Sequence, residues 1–187
     1  MDRNIIDICK KQTIEAASLL TFISVETGGK GFDDETGKVT IQFEPVWFKK
    51  KAPYAPSGIW SVNKVDVQRK EWIAFNDAYK KNPDAAMQST SIGLGQIMGF
   101  HYKKLGYNTV GEMWDDAKKG IEEQIKQMVK FINSDPNLLN ALKKHDWTKV
   151  ATIYNGRGFM DLAKKYHRTP YDEAMEIAYN RFKNVRL

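Results

Sequence analysis

Apolar positions along most of this chain recur at helical spacing, with one short interval of period two. Residues 14–25 carry Ala16, Ala17, Leu19, Leu20, Phe22 and Ile23, so little of that turn of chain is polar. The pattern predicts a helix central to the core, with Thr13 as its N-cap. A shorter helix is expected over residues 5–10. Val39-Thr40-Ile41-Gln42-Phe43 alternates and predicts a strand, and the run Asp33-Asp34-Glu35-Thr36-Gly37 before it reads as a hairpin tip. Residues 45–62, with prolines at 53 and 56, read as loop or short helix. Helical periodicity returns over 63–81, where Trp72, Phe75 and Tyr79 share a face, and Asn82-Pro83 restarts a helix that runs to about Gln88.

The stretch Ser89-Thr90-Ser91-Ile92-Gly93-Leu94-Gly95-Gln96-Ile97-Met98-Gly99 breaks the helical pattern. Glycines at alternate positions in an apolar run point to close backbone approach, and they match neither a dinucleotide fingerprint nor a phosphate loop. Thr109-Val110-Gly111-Glu112 is a capping box that opens the next helix, and Gly120 interrupts it. Ile121, Ile125, Met128, Val129 and Ile132 resume the helical spacing. Asp135-Pro136, Asp146-Trp147 and Thr169-Pro170 open three further helices; the second stops at Asn155-Gly156 and the third reaches about Lys183. The expected fold class is therefore mainly α with an α+β element, one small hairpin over residues 32–44. No repeat or linker divides the chain, and a single domain over 1–187 is expected.

Composition narrows the function. At 187 residues, 42% hydrophobic and 28% charged, the chain has enough apolar material for a real core and no run that approaches a bilayer span. Met1-Asp2-Arg3-Asn4-Ile5 has neither a basic n-region nor a small-residue cleavage site, so no secretory signal is expected. One cysteine, Cys9, excludes an intrachain disulfide and reads as a buried inert thiol among Ile5, Ile6 and Ile8. His101, His145 and His167 lie far apart, so no metal or other cofactor is expected. The net charge of +6 and pI of about 9.2 suit an anionic partner: nucleic acid, anionic lipid or a wall polymer.

Four places in the chain carry candidate chemistry. In Ser24-Val25-Glu26-Thr27-Gly28-Gly29 a carboxylate sits in the last turn of an apolar helix. The negative end of the helix dipole and the apolar surroundings both favour its protonated form, which suits a general acid. The competing reading is a solvated glutamate at a helix end. Glu44 closes the predicted strand before Pro45 and is either a second carboxylate or a structural one. Two carboxylates in different surroundings are what glycosidic hydrolysis requires: one protonates the leaving oxygen, the other activates water or stabilises the oxocarbenium-like centre. Gln96, flanked by glycine and apolar residues, offers an amide to a sugar, or is satisfied by nearby backbone. Tyr154-Asn155-Gly156 either presents a hydroxyl and an amide or forms a plain C-cap.

Taken in order, Val25-Glu26-Thr27-Gly28-Gly29-Lys30-Gly31-Phe32, Phe43-Glu44, the long segment 88–99 and Tyr154-Asn155-Gly156 resemble the N-acetylmuramidase domain of bacteriophage endolysins over nearly the whole chain. More distantly, the order is similar to goose-type lysozymes and soluble lytic transglycosylases, with their Glu-Ser pair, Gly-Leu-Met-Gln turn and Ala-Tyr-Asn stretch. Here Thr27, Gly95 and Ile153 stand in place of the Ser, Met and Ala. The resemblance implies a lysozyme-like fold, with the hairpin beside the catalytic helix, and cleavage of the β-1,4 bond between N-acetylmuramic acid and N-acetylglucosamine. It implies Glu26 as general acid, Glu44 as second carboxylate, and Thr27, Gln96, Tyr154 and Asn155 along the glycan groove.

The implied partner is the peptidoglycan glycan strand, met by a monomer without a separate wall-binding module. Nucleic acid and stable membrane insertion are not expected. Made without a signal peptide, such a protein would sit in the host cytoplasm until a holin or delivery system released it to the wall. Two other readings remain at this stage. A lytic transglycosylase would cut the same bond with one carboxylate and leave 1,6-anhydro ends, and a non-enzymatic basic module would only grip the wall.

Overall fold

The computed structural model describes residues 8–9, 14–64 and 67–184. These fall into two compact units, one of residues 1–29 with 129–187 and one of residues 30–128, named here the first and second unit. The expected N-cap Thr13 and most of the expected helix over 5–10 lie outside the described residues. Ile8 and Cys9 are helical, and burial pushes the Cys9 thiol up to about 11, which keeps it protonated.

The first unit is built around α1 (Ala16–Thr27), whose residues Ala17 to Ile23 are all buried. That explains the shortage of polar positions in its sequence: the helix is covered on every side. It begins two residues later than expected, with Glu15 in the cap position and no side-chain cap bond. It stops at Gly28, which takes φ 61°, and the Gly28 and Gly29 N–H groups donate to Ser24 and Ile23 carbonyls. α7 (Pro136–Lys143) and α8 (Trp147–Tyr154) start on the capping side chains of Asp135 and Asp146. α9 (Phe159–Lys165) was not anticipated, because only Phe159 and Ala163 in it are buried. α10 (Tyr171–Phe182) packs along α1 and α8 through buried Met175 and Ala178.

The second unit holds a three-stranded antiparallel sheet of β1 (Ile41–Phe43), β2 (Thr90–Ile92) and β3 (Ile97–Met98). This corrects the expected hairpin. The turn at 33–37 forms, with Gly37 N–H on Asp33 O at 2.9 Å, but pairing across it shrinks to one bridge between Phe32 and Val39. β1 pairs instead with β2, Ile41 opposite Ile92 and Phe43 opposite Thr90, and Ile92 in turn opposes Ile97. Ile41 and Phe43 need an apolar face to share, and the segment 90–98 supplies it whereas the polar tip at 33–38 does not.

Around the sheet lie α2 (Pro45–Lys51), a 3-10 turn at Ile59–Val62, α3 (Gln68–Lys81), α4 (Pro83–Gln88), a 3-10 turn at Gly99–His101 and α5 (Val110–Lys119). The expected helix over 63–81 begins only at Gln68, after Val67 in extended geometry with ψ 148°, and the Asn63 amide donates to Glu71 at 3.0 Å. Asn82 and the Thr109–Glu112 capping box perform as expected. α6 (Ile121–Asn133) belongs to the second unit as far as Met128 and to the first from Val129. Phe75 stacks on Trp114 at 4.7 Å in the second unit's core. Trp72 meets Trp114 edge-on at 6.2 Å, and Tyr79 on the same helix remains 41% exposed.

Gly93 in the broken segment and Gly31 before the sheet share a packing cause. Gln124 is buried, and its amide accepts from Leu94 N–H at 3.0 Å while donating to Ala117 O at 2.9 Å and Gly31 O at 3.3 Å. A Cβ on Gly31 would stand 2.2 Å from Gln124 Oε1, so only glycine lets the amide reach both loops. Gly93 adds a φ of 71° beside the same side chain.

Candidate active site

Glu26 lies one residue from the C-terminal end of α1 and is half-buried. Tyr171, the first residue of α10, donates its phenol hydrogen bond to Glu26 Oε1. Burial pushes the Glu26 carboxyl up to about 7, against the opposing pull of that hydrogen bond, which favours the ionised form. Tyr154, the last residue of α8, lies near enough that the Glu26 carboxylate, after burial, helps to raise its phenol well above the ordinary range. Tyr171 is raised for the same two leading reasons. Both phenols therefore stay protonated around a carboxyl poised near neutral pH. Phe22 and Phe131 hold the Tyr154 ring, with centroids 4.8 and 5.4 Å away.

Thr27 donates its hydroxyl to Ile23 O at 3.3 Å within its own helix. Asn155 is the C-cap of α8 and is exposed; its backbone N–H donates to Ala151 O at 2.9 Å. Thus Glu26, Thr27, Tyr154 and Asn155 all belong to the first unit, and Glu44 and Gln96 to the second.

In the second unit, Glu44 follows β1 and occupies the cap position of α2 without capping it by side chain. Its carboxylate is half-buried and accepts from Gln42 Nε2 at 2.7 Å. Gln42, two residues earlier on the strand, faces Ser91 across the ladder, and Ser91 faces Met98. Ser91 Oγ then donates to Gln96 Oε1 at 2.8 Å. The other end of the Gln96 amide donates to Gly93 O at 2.9 Å, and the residue sits at φ 44°. The Gln96 amide is thus hydrogen-bonded at its oxygen by Ser91 of β2 and at its nitrogen by Gly93 of the turn, and it holds the β2–β3 connection in shape.

The outer edge of β1 is closed by α3. Gln68 exchanges two hydrogen bonds with Ile41, each 2.8 Å, and Glu71 accepts from Phe43 N–H at 2.9 Å. One helical turn separates Gln68 from Glu71, and one strand residue, Gln42, separates their targets. An edge that would otherwise be open is paired by side chains.

Tyr171, Gln42 and Ser91 were not singled out by sequence. For Gln42 the signal was present: alternation in 39–43 puts it on the face that Glu44 continues. Tyr171 carries no comparable signal, since a tyrosine opening an amphipathic helix is unremarkable until the fold sets it beside Glu26. A hollow of about 660 Å³ in the first unit, lined by Trp147, Asp172, Glu176 and Tyr179 among others, includes none of these residues. Among the described residues no group of three or more His, Cys, Asp or Glu side chains could hold a metal ion, and no helix is long and apolar enough to cross a membrane.

A mainly helical protein with a small antiparallel sheet and a carboxylic acid tuned at a helix end fits the lysozyme-like class of glycoside hydrolases. The N-acetylmuramidase family model, Muramidase, matches residues 15–183, and the chain belongs to that family. Among solved structures it is similar to one described as Burkholderia AP3 phage endolysin, with a TM-score of 0.79 and 27% identity. That match covers 98% of this chain and 70% of the other. No curated protein matches it significantly. The chain is thus a peptidoglycan hydrolase of the muramidase kind.

Proposed function

We propose that this chain hydrolyses the β-1,4 bond between N-acetylmuramic acid and N-acetylglucosamine in peptidoglycan, with Glu26 as general acid and residues 1–187 as the catalytic domain. The observation that carries the reading is the carboxyl of Glu26, raised to about 7 by burial and hydrogen-bonded at Oε1 by Tyr171. Because Oε1 accepts from the phenol, the acidic proton belongs on Oε2. From there it passes to the glycosidic oxygen as the bond to the anomeric carbon breaks. The anomeric centre gains positive charge, and the resulting Glu26 carboxylate is stabilised by the same Tyr171 donor.

Glu44 is the second carboxylate of this reading. Its support is its position at a strand end, half-buried, with one side-chain donor from Gln42. In this reading Tyr154, which lies near the acid, and Asn155 after it contact the glycan, and the protein acts as a monomer once it reaches the wall. The test is mass spectrometry of muropeptides released from purified peptidoglycan. Reducing N-acetylmuramic acid ends are expected. Products lighter by one water, with 1,6-anhydro ends, would make the protein a lytic transglycosylase. Reducing N-acetylglucosamine ends would move the cut to the other bond. No release by folded, wall-bound protein would make it a binding module.

A further inference from the structure

Helix α2 and the 3-10 turn at Gly99–His101 form a surface of the second unit that the proposed chemistry does not use. On α2, Phe48 points inward and is fully buried, whereas Val46 is 64% and Trp47 41% exposed. The Trp47 ring lies 5.0 Å from that of Phe100 in the turn. Lys50 Nζ sits over Trp47 at 4.7 Å, and Lys51 Nζ lies over Phe100 at 5.6 Å while donating to Gln88 Oε1. Lys103 lies over the Tyr102 ring at 5.9 Å. The neighbouring His101 imidazole is pushed down to about 4 by burial and then by Lys104, so it adds no charge near neutral pH. Neither segment, Pro45–Lys51 nor residues 99–106, contains an acidic residue.

We propose that this patch docks the protein peripherally on an anionic phospholipid surface. Exposed Trp47 and Val46 suit the headgroup boundary, where an indole keeps its apolar body in lipid and its N–H in contact with water. Lys49, Lys50 and Lys51 on the same helix, and Lys103 and Lys104 just after the turn that carries Phe100, supply ammonium groups that match lipid phosphates. A neutral sugar stacks on an open aromatic face, and Trp47 has Lys50 over its ring and Phe100 tilted against it. The charge held at the rings therefore fits an anionic layer better than the face of a glycan. α2 has seven residues, so the contact lies on the surface and does not span it.

Co-sedimentation of the full chain with vesicles tests this without reference to Glu26. Binding is expected with vesicles of phosphatidylcholine mixed with phosphatidylglycerol, not with phosphatidylcholine alone. The double reversal K49E/K50E is expected to weaken it roughly tenfold or more, and Trp47→Ala to weaken it also. The charge-matched control K164E/K183E, on exposed lysines of the first unit, is expected to change it much less. Equal losses in patch and control variants would reduce the effect to net charge and overturn the proposal. Absence of binding to the anionic vesicles would overturn it too. So would loss of binding to purified peptidoglycan sacculi by the patch variants with vesicle binding intact, which would assign the patch to the wall polymer.

Discussion

The phenol of Tyr171 donates to Oε1 of Glu26, joining the first turn of the last helix to the last turn of the first unit's central helix. This bond stabilises the ionised carboxylate, so it pulls the acid down while burial pushes it up. Tyr171→Phe removes the donor and keeps the ring. The carboxyl then rises further, and the alkaline limb of the pH–rate profile is expected to shift to higher pH. The rate at the optimum is expected to fall roughly fivefold, the equivalent of about 1 kcal/mol for one hydrogen bond. A purely structural tyrosine would lower stability without moving that limb.

Glu26→Gln separates catalysis from stability. Activity on peptidoglycan is expected to fall by roughly a hundredfold or more, since the amide has no proton of suitable acidity to transfer. Stability is expected to change the other way. From 4.5, the ordinary value, to about 7, the folded protein keeps a proton that the unfolded chain has released. Wild-type stability therefore falls as pH rises through that window and levels off above it, by at most roughly 3 kcal/mol. The variant lacks this loss, so its melting temperature should gain on wild type between pH 5 and pH 8. Parallel curves would mean that the carboxyl is not raised. Full clearing of cell-wall turbidity by the variant would exclude Glu26 as the acid.

Glu44→Gln keeps an acceptor oxygen for Gln42 Nε2, so β1 and the start of α2 should fold as before. If the carboxylate activates water or stabilises the oxocarbenium-like centre, the rate drops by roughly two orders of magnitude. Circular dichroism checks the fold alongside the assay. A variant nearly as active as wild type would remove the second carboxylate from the mechanism and favour the transglycosylase, which needs only one.

The elements that sequence revealed best are those with local causes. Asn82, Thr109, Asp135 and Asp146 each cap a helix because the cap needs only the next three residues. Glu26 was legible because an apolar helix ending on Gly28-Gly29 fixes both its burial and its place in the last turn. What stayed hidden depends on distant partners. Ile41 pairs with Ile92, and no local pattern in 39–43 names that partner over the turn at 33–37. Gly93 read as a point of close approach whose partner no local pattern names; the structure shows it, with Gly31, making room for Gln124 on a later helix. Gln96 offered an amide whose partners no local pattern names, and the structure supplies Ser91 and Gly93 as two of them. Tyr171 reaches Glu26 only through the packing of α10 on α1.

Glu71 shows how the strand that leads into Glu44 is held. It is 1% exposed and accepts from Phe43 N–H at 2.9 Å and from Asn63 Nδ2 at 3.0 Å. Glu71→Leu would fill similar space while leaving both donors without this acceptor, at a cost of about 2 kcal/mol or more. Glu71→Gln retains an amide oxygen for Phe43 and should recover much of that loss. Urea denaturation measures both. The end of β1 also sets where Glu44 lies, so Glu71→Leu should lower activity at temperatures where the protein is still fully folded, and Glu71→Gln should restore it. If the leucine variant is as stable and as active as wild type, the buried carboxylate does not hold the strand, and the α3 contact through Gln68 is enough to place Glu44.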